Sequence, residues 1–309
     1  MSEEIIERSF SVDSPARLKL SNIRGTVNIS PGDEDAISVT AVKHLNSGNA
    51  DRTEVAIHQW DDGVVVVETR HDKNNGFLSL FKPCKVEYTV TVPKNCSVDL
   101  NCVSSKAAIQ GLEGKFKFNT VSGALEFGDI TGLVKVVSVS GVIKGQNLSG
   151  SLEGGSVSGK IRVMESQIPE IEISTVSGNI IVQTPILDGS YIFKGVSGNV
   201  TLIVPEDTGC VARTKSVSGR LQTSLPITKD RRYGPRGLAE IQGGGPEVVY
   251  KSVSGSLKIL TSEDDKPQTI HVASPVGVRH PRKAARMDVL EEIERGELSV
   301  DDALEKLNS

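Results

Sequence analysis

The chain has 309 residues, a formal net charge of −4 and a pI near 5.8, which argues against a general nucleic-acid binder. Aromatic residues make up 4%, which suits a thin core of Val, Ile and Leu rather than a globule with a bulky centre. No stretch approaches the roughly 20 apolar residues of a membrane span.

The N-terminus, Met1 to Glu7, is acidic and has no apolar run, so it does not read as a secretory signal. Cys84, Cys96, Cys102 and Cys210 form no Cys-x-x-Cys pair and read as reduced thiols. Together these predict a cytoplasmic protein.

Residues 1–100 read as strands. Leu18 to Ile29 alternates and turns at Gly25, like a diverged copy of the repeat that follows. Ile37 to Val42, Val55 to Ile57, Val64 to Glu68 and Val86 to Val92 are strand candidates. Asn46 to Asn49 and Asp72 to Gly76 read as loops. This region is expected to be antiparallel and cap-like, because an open stack of strands leaves unpaired backbone at its end.

Residues 101–261 carry the dominant signal. Val-Ser-Gly occurs at 121–123, 139–141, 157–159, 176–178, 196–198, 217–219 and 253–255, in steps of 18, 18, 19, 20, 21 and 36 residues. A near-match, Val103-Ser104-Ser105, lies 18 residues before the first. A short period repeated this often means a stacked, quasi-one-dimensional fold. The residue two after each glycine is Leu125, Ile143, Ile161, Ile180, Val200, Leu221 or Leu257, and the one between is of no fixed type. That is the period of a half-buried strand. By the same alternation the valine is expected inward, with the serine after it and the Thr, Ser or Gly before it outward. The glycine is expected to turn the corner through positive φ. A second corner is expected at 111–114, 128–132 and 146–150. The 36-residue step reads as one extra turn with a basic loop bulging from it, containing Lys229, Arg231, Arg232 and Arg236. The predicted fold is all-β: a parallel β-solenoid of about 18–21 residues per turn, right-handed by the usual preference of parallel crossovers.

Residues 262–281 read as a polar, proline-broken linker. From 282 the period becomes helical. Val289, Leu290 and Ile293 share a face, Gly296 ends it, and Ser299 with Asp302 forms a capping box for a second helix carrying Val300, Ala303, Leu304 and Leu307. The expected hairpin, 282–309, is too short to stand alone and must bury its stripe against the strands, a second copy or a partner.

The Thr/Ser-Val-Ser-Gly-x-Ile/Leu units resemble the bacterial putative-adhesin family, a β-strand-repeat domain of unknown function akin to auto-transporter adhesin head domains. So do Leu20 to Val27, Val90 to Val98, and Gly243 to Pro246 followed by Lys251 to Gly255. The tail from Arg286 to Leu304 is similar to SHOCT-like helical hairpins. The resemblance implies a β-solenoid without known enzymatic activity, and the word adhesin implies a surface location.

No catalytic signature rises above the repeat. The outward positions after the glycines carry no Asp or Glu, so the recurring carboxylates of a polysaccharide-cleaving solenoid are not evident. His44, His58, His71, His271 and His280 show no metal spacing. No Gly-x-Ser-x-Gly elbow or phosphate loop is present. The serine column reads as a hydroxyl ladder that satisfies corner backbone groups. The expectation is a non-catalytic scaffold with no catalytic residue, metal or cofactor. Its hairpin mediates self-association or docks a protein partner. The alternatives are an adhesin-like surface module for glycan or protein, and a regulator touching membrane or nucleic acid through its basic clusters. The second such cluster is Arg279, Arg282, Lys283 and Arg286.

Overall fold

In the computed structural model, every residue two places after a Val-Ser-Gly glycine is buried, from Leu125 to Leu257, as the alternation requires. The described residues are 2–71, 83–231, 236–262 and 268–271. They are all-β apart from one 3-10 turn, Leu45–Ser47. Of the predicted linker at 262–281 only Ser262 and the strand Gln268–His271 are described, and the loop at 72–76 and the whole hairpin at 282–309 lie outside the described residues. The chain divides into two compact units. The first is Met1–Val137 with Gly141–Gln146, and the second is Ser138–Ser140 with the residues from Asn147 onward.

The first unit holds β1 (Glu3–Ser11), β2 (Ala16–Pro31), β3 (Ala36–His44), β4 (Thr53–Gln59), β5 (Val65–His71), β6 (Lys85–Val92), β7 (Cys96–Gln110), β8 (Glu113–Thr120), most of β9 (Ala124–Ser138) and the start of β10 (Val142–Ser156). Two of these strands bend in the middle and serve two sheets. Residues 18–21 of β2 pair in parallel with β5, and residues 25–31 with β6. From Ala16 to Ile29 it also runs parallel to β7, with Asn22 opposite Cys102 and Gly25 opposite Ser105. Thus 16–31 is a true rung, and Val103-Ser104-Ser105 is the corner next to its own. β7 continues the pattern onto β8 and β9. In the same unit β4 pairs with β5, β3 with β6 and β1 with β3, all antiparallel.

The second unit holds the rest of β10, then β11 (Lys160–Met164), β12 (Gln167–Thr175), β13 (Asn179–Gln183), β14 (Ser190–Gly195), β15 (Asn199–Ile203), β16 (Cys210–Ser216), β17 (Arg220–Thr223), β18 (Ile227–Arg231), β19 (Arg236–Ile241), β20 (Glu247–Ser252), β21 (Ser256–Leu260) and β22 (Gln268–His271). One parallel sheet runs β10, β12, β14, β20, β16. The other runs β11, β13, β15, β21, β17. Inward residues form straight columns, such as Ile161, Ile180, Val200, Leu257 and Leu221, all buried.

These orders correct the reading of the 36-residue step. The last Val-Ser-Gly in sequence does not end the stack. β20 and β21 insert between the rung at 190–203 and the rung at 210–223. The intervening chain is not an extra parallel turn: β19 pairs antiparallel with β16, and β18 antiparallel with β19. β22 covers β17 in the same way. Antiparallel strands therefore close the edges of the final rung, which would otherwise offer unpaired N–H and C=O groups.

Candidate functional site

At the Val-Ser-Gly corners the polar side chains are bonded to backbone. The residue before the valine was expected outward, yet Thr120, Ser138, Ser156, Thr175, Ser216 and Ser252 are all buried. Each corner interrupts the alternation. The inward hydroxyl accepts the glycine N–H three residues on: Gly123 to Thr120 at 3.2 Å, Gly159 to Ser156 at 2.7 Å, Gly178 to Thr175 at 2.8 Å, Gly219 to Ser216 at 2.7 Å and Gly255 to Ser252 at 2.7 Å. At the one corner with glycine in that place, Gly195, the Tyr250 hydroxyl of the neighbouring rung donates to the Gly198 carbonyl at 2.9 Å. A restricted position that is never charged and never long was the available signal of burial.

The valine is not uniformly inward. Val121 is 46% exposed and Val103 45%, whereas Val176 and Val253 are fully buried. Its carbonyl accepts twice from the serine of the adjacent rung. Ser177 N–H and Oγ donate to the Val157 carbonyl at 2.8 and 3.4 Å, and Ser158 does the same to Val139 at 2.8 and 3.3 Å. Ser122, Ser197, Ser218 and Ser254 repeat this bond. The outward serine column is therefore the hydroxyl ladder expected of it.

The corner glycines are also explained differently. None has positive φ. They are glycine because a Cβ on Gly178 would strike the Gly159 carbonyl oxygen, and one on Gly255 the Gly198 carbonyl oxygen. Positive φ belongs to the second corner, at Gly111 and Asp129 in the first unit and Asn147 and Glu165 in the second, 18 residues apart in sequence. Asp and Asn tolerate that region better than most residues.

Among the described residues the thiols are buried rather than reactive. The four cysteines are free and buried. Burial pushes the Cys96 and Cys102 thiols up to about 12 and Cys210 to about 11, the opposite of an activated nucleophile. His44 lies 3.2 Å from both Glu3 and Glu87. The Glu87 carboxyl is held below the usual range, chiefly by its hydrogen bond from Lys85. Among the described residues no group of three His, Cys, Asp or Glu could hold a metal ion, and no helix is long and apolar enough to cross a membrane.

The basic loop is only partly placed. Lys229 pairs with Glu240 at 3.2 Å. The backbone of Arg231 ends β18 and that of Arg236 begins β19, while Arg232 lies outside the described residues. The basic positions 279, 282, 283 and 286 also lie outside them.

Two surface features escaped the sequence. Trp60, the only tryptophan, is 47% exposed beside Lys19, whose Nζ lies 5.6 Å from the ring centre. Its Nε1 donates to His58 Nε2 at 2.8 Å. The outward columns are the second feature. In the first unit Lys19, Asp99 and Lys117 alternate in sign across β2, β7 and β8. In the second, Ser174, Lys194, Lys251 and Lys215 align across β12, β14, β20 and β16. This column could not be read from the chain, because its order depends on the inserted rung.

Three solved structures are similar over most of their length. A putative adhesin from Bacteroides fragilis is 13% identical, covers 84% of this chain and 98% of its own, and has a TM-score of 0.47. A putative cell adhesion protein from Clostridium sporogenes is 14% identical, with 83% and 99% covered and a TM-score of 0.27. A putative lipid binding protein from Parabacteroides distasonis is 12% identical, with 82% and 96% covered and a TM-score of 0.33. None reaches a TM-score of 0.5. No curated protein matches the sequence. Residues 16–260, well over half of the chain, match the family described as Toastrack DUF4097, and the chain belongs to that family.

Proposed function

We propose that the protein is a non-catalytic binding module, a β-solenoid of Val-Ser-Gly rungs that offers in-register outward columns to a glycan or protein partner. The observation that carries this is how the reactive groups are used. Corner hydroxyls hold backbone, thiols are buried, and the ordered outward side chains are what the rungs leave available. An adhesin-like role fits such a surface, and the repeat units that resemble adhesin domains favour it. The test is a glycan array probed with the labelled full chain, followed by mass analysis of each bound glycan. Binding without any change in glycan mass is expected; released fragments would overturn the non-catalytic reading.

Self-association or docking through 282–309 is the other part of the proposal. It rests on the apolar stripe of Val300, Ala303, Leu304 and Leu307. Light scattering of the chain with and without 282–309 tests self-association: a lower mass on deletion is expected, and an unchanged mass would remove it. The cytoplasmic placement is supported by four unpaired cysteines. Cell fractionation tests it, and material at the cell surface would favour the adhesin-like role instead. The reading as a membrane or nucleic-acid regulator is weaker, since Lys229 is already paired with Glu240.

A further inference from the structure

Lys194, Lys251 and Lys215 are direct register partners on adjacent parallel strands. Their backbones are thus about 4.8 Å apart, strand to strand. Ser174 extends the column at one end, and β19 sets the Arg236 backbone opposite Lys215 at the other. Lys194 is half-buried and lies 3.1 Å from Glu172. Lys251 and Lys215 are exposed and have no ion-pair partner among the described residues. Like charges set directly opposite in a sheet oppose folding. The inserted β20 creates two such contacts where one would otherwise exist.

We propose that this ladder binds a linear acidic polysaccharide with one carboxylate per sugar. The column crosses the strands, so its ligand lies along the direction in which rungs stack. A polyuronate carries a carboxylate on every sugar of an unbranched chain, so a chain laid along the column brings several within reach of long lysine side chains whose backbones step by about 4.8 Å. Nucleic acid fits less well. The flanking column is Glu172, Ile192, Val249 and Arg213, which offers no aromatic platform for bases, and Arg213 is paired with Glu247.

The proposal rests on the binding-module reading above. Failure to bind would overturn the ladder alone, whereas new reducing ends in the polymer would overturn the non-catalytic reading. The experiment is fluorescence anisotropy of a labelled polygalacturonate fragment titrated with the full chain, with labelled oligodeoxythymidylate and neutral dextran alongside. Saturable, salt-sensitive polygalacturonate binding is expected. The Lys215→Gln/Lys251→Gln variant should weaken it about tenfold or more, through loss of two charge-assisted contacts. Lys160→Gln, an exposed lysine on β11 of the other sheet, should leave it within about twofold. Circular dichroism and melting of the variants check that each is folded. Absence of saturable binding, equal weakening by Lys160→Gln, or tighter binding of the oligonucleotide would overturn the assignment.

Discussion

Ser252 Oγ accepts the N–H of Gly255, three residues on, at 2.7 Å, and so closes a Val-Ser-Gly corner from inside the rung. Ser216 and Gly219 are related in the same way on the neighbouring rung. Both serines are buried, so each acceptor answers an N–H that water does not reach.

Removing that acceptor should therefore cost more than an average surface change. Ser216→Ala is expected to lose about 1–3 kcal/mol, because a buried donor is left unmet. Ser216→Thr should retain most of the stability, since Thr175 fills the same role three rungs away. Chemical denaturation of the three proteins measures the difference. Equal loss in Ala and Thr would mean that packing, not the hydroxyl, matters there.

The glycine column predicts a contrast. Gly178→Ala should cost about 3 kcal/mol or more, since its Cβ would enter the Gly159 carbonyl of the adjacent rung. Gly243→Ala, at φ +86° with open space around it, should cost about 1 kcal/mol from backbone strain alone. Both lie in the second unit, so one denaturation experiment compares them directly.

The thiols predict a pH dependence. Cys96 and Cys102 are raised by burial from 9.0 to about 12. Above pH 9 the unfolded chain sheds these protons while the folded chain keeps them, so the unfolded state binds fewer protons and stability falls as pH rises. The contribution is complete below pH 9 and is lost between about 9 and 12. Melting temperatures from pH 8 to 11 should decline, and Cys96→Ala/Cys102→Ala should flatten that decline. The same burial predicts that iodoacetamide at pH 8 modifies these residues only after denaturant is added.

Much of the rung was legible because its signal is local. The aliphatic residue two past each glycine, the second corner and the hydroxyl ladder all follow from one period. The inward Thr175 and Ser216 were misread because strict alternation was carried through a corner, where two residues share one bend. Positive φ is the ordinary reason for a corner glycine, but here the constraint is the adjacent carbonyl, which a single rung cannot reveal. The stacking order was least legible. A period says that rungs repeat, but not which rung lies beside which. The 36-residue step was the trace of the insertion, and without the true order Lys251 could not be placed between Lys194 and Lys215.

That order is the relation on which the ladder and its proposed ligand depend, and cysteine trapping tests it most directly. Adjacent parallel strands bring Cα atoms within the 4.4–6.8 Å reach of a disulfide, and strands two apart do not. Lys194→Cys with Lys251→Cys, and Lys251→Cys with Lys215→Cys, should each oxidise to an intramolecular bond, while Lys194→Cys with Lys215→Cys should not. Ready bonding of the last pair, with Lys194→Cys and Lys251→Cys left unbonded, would mean that the rungs stack in sequence order and would contradict the account.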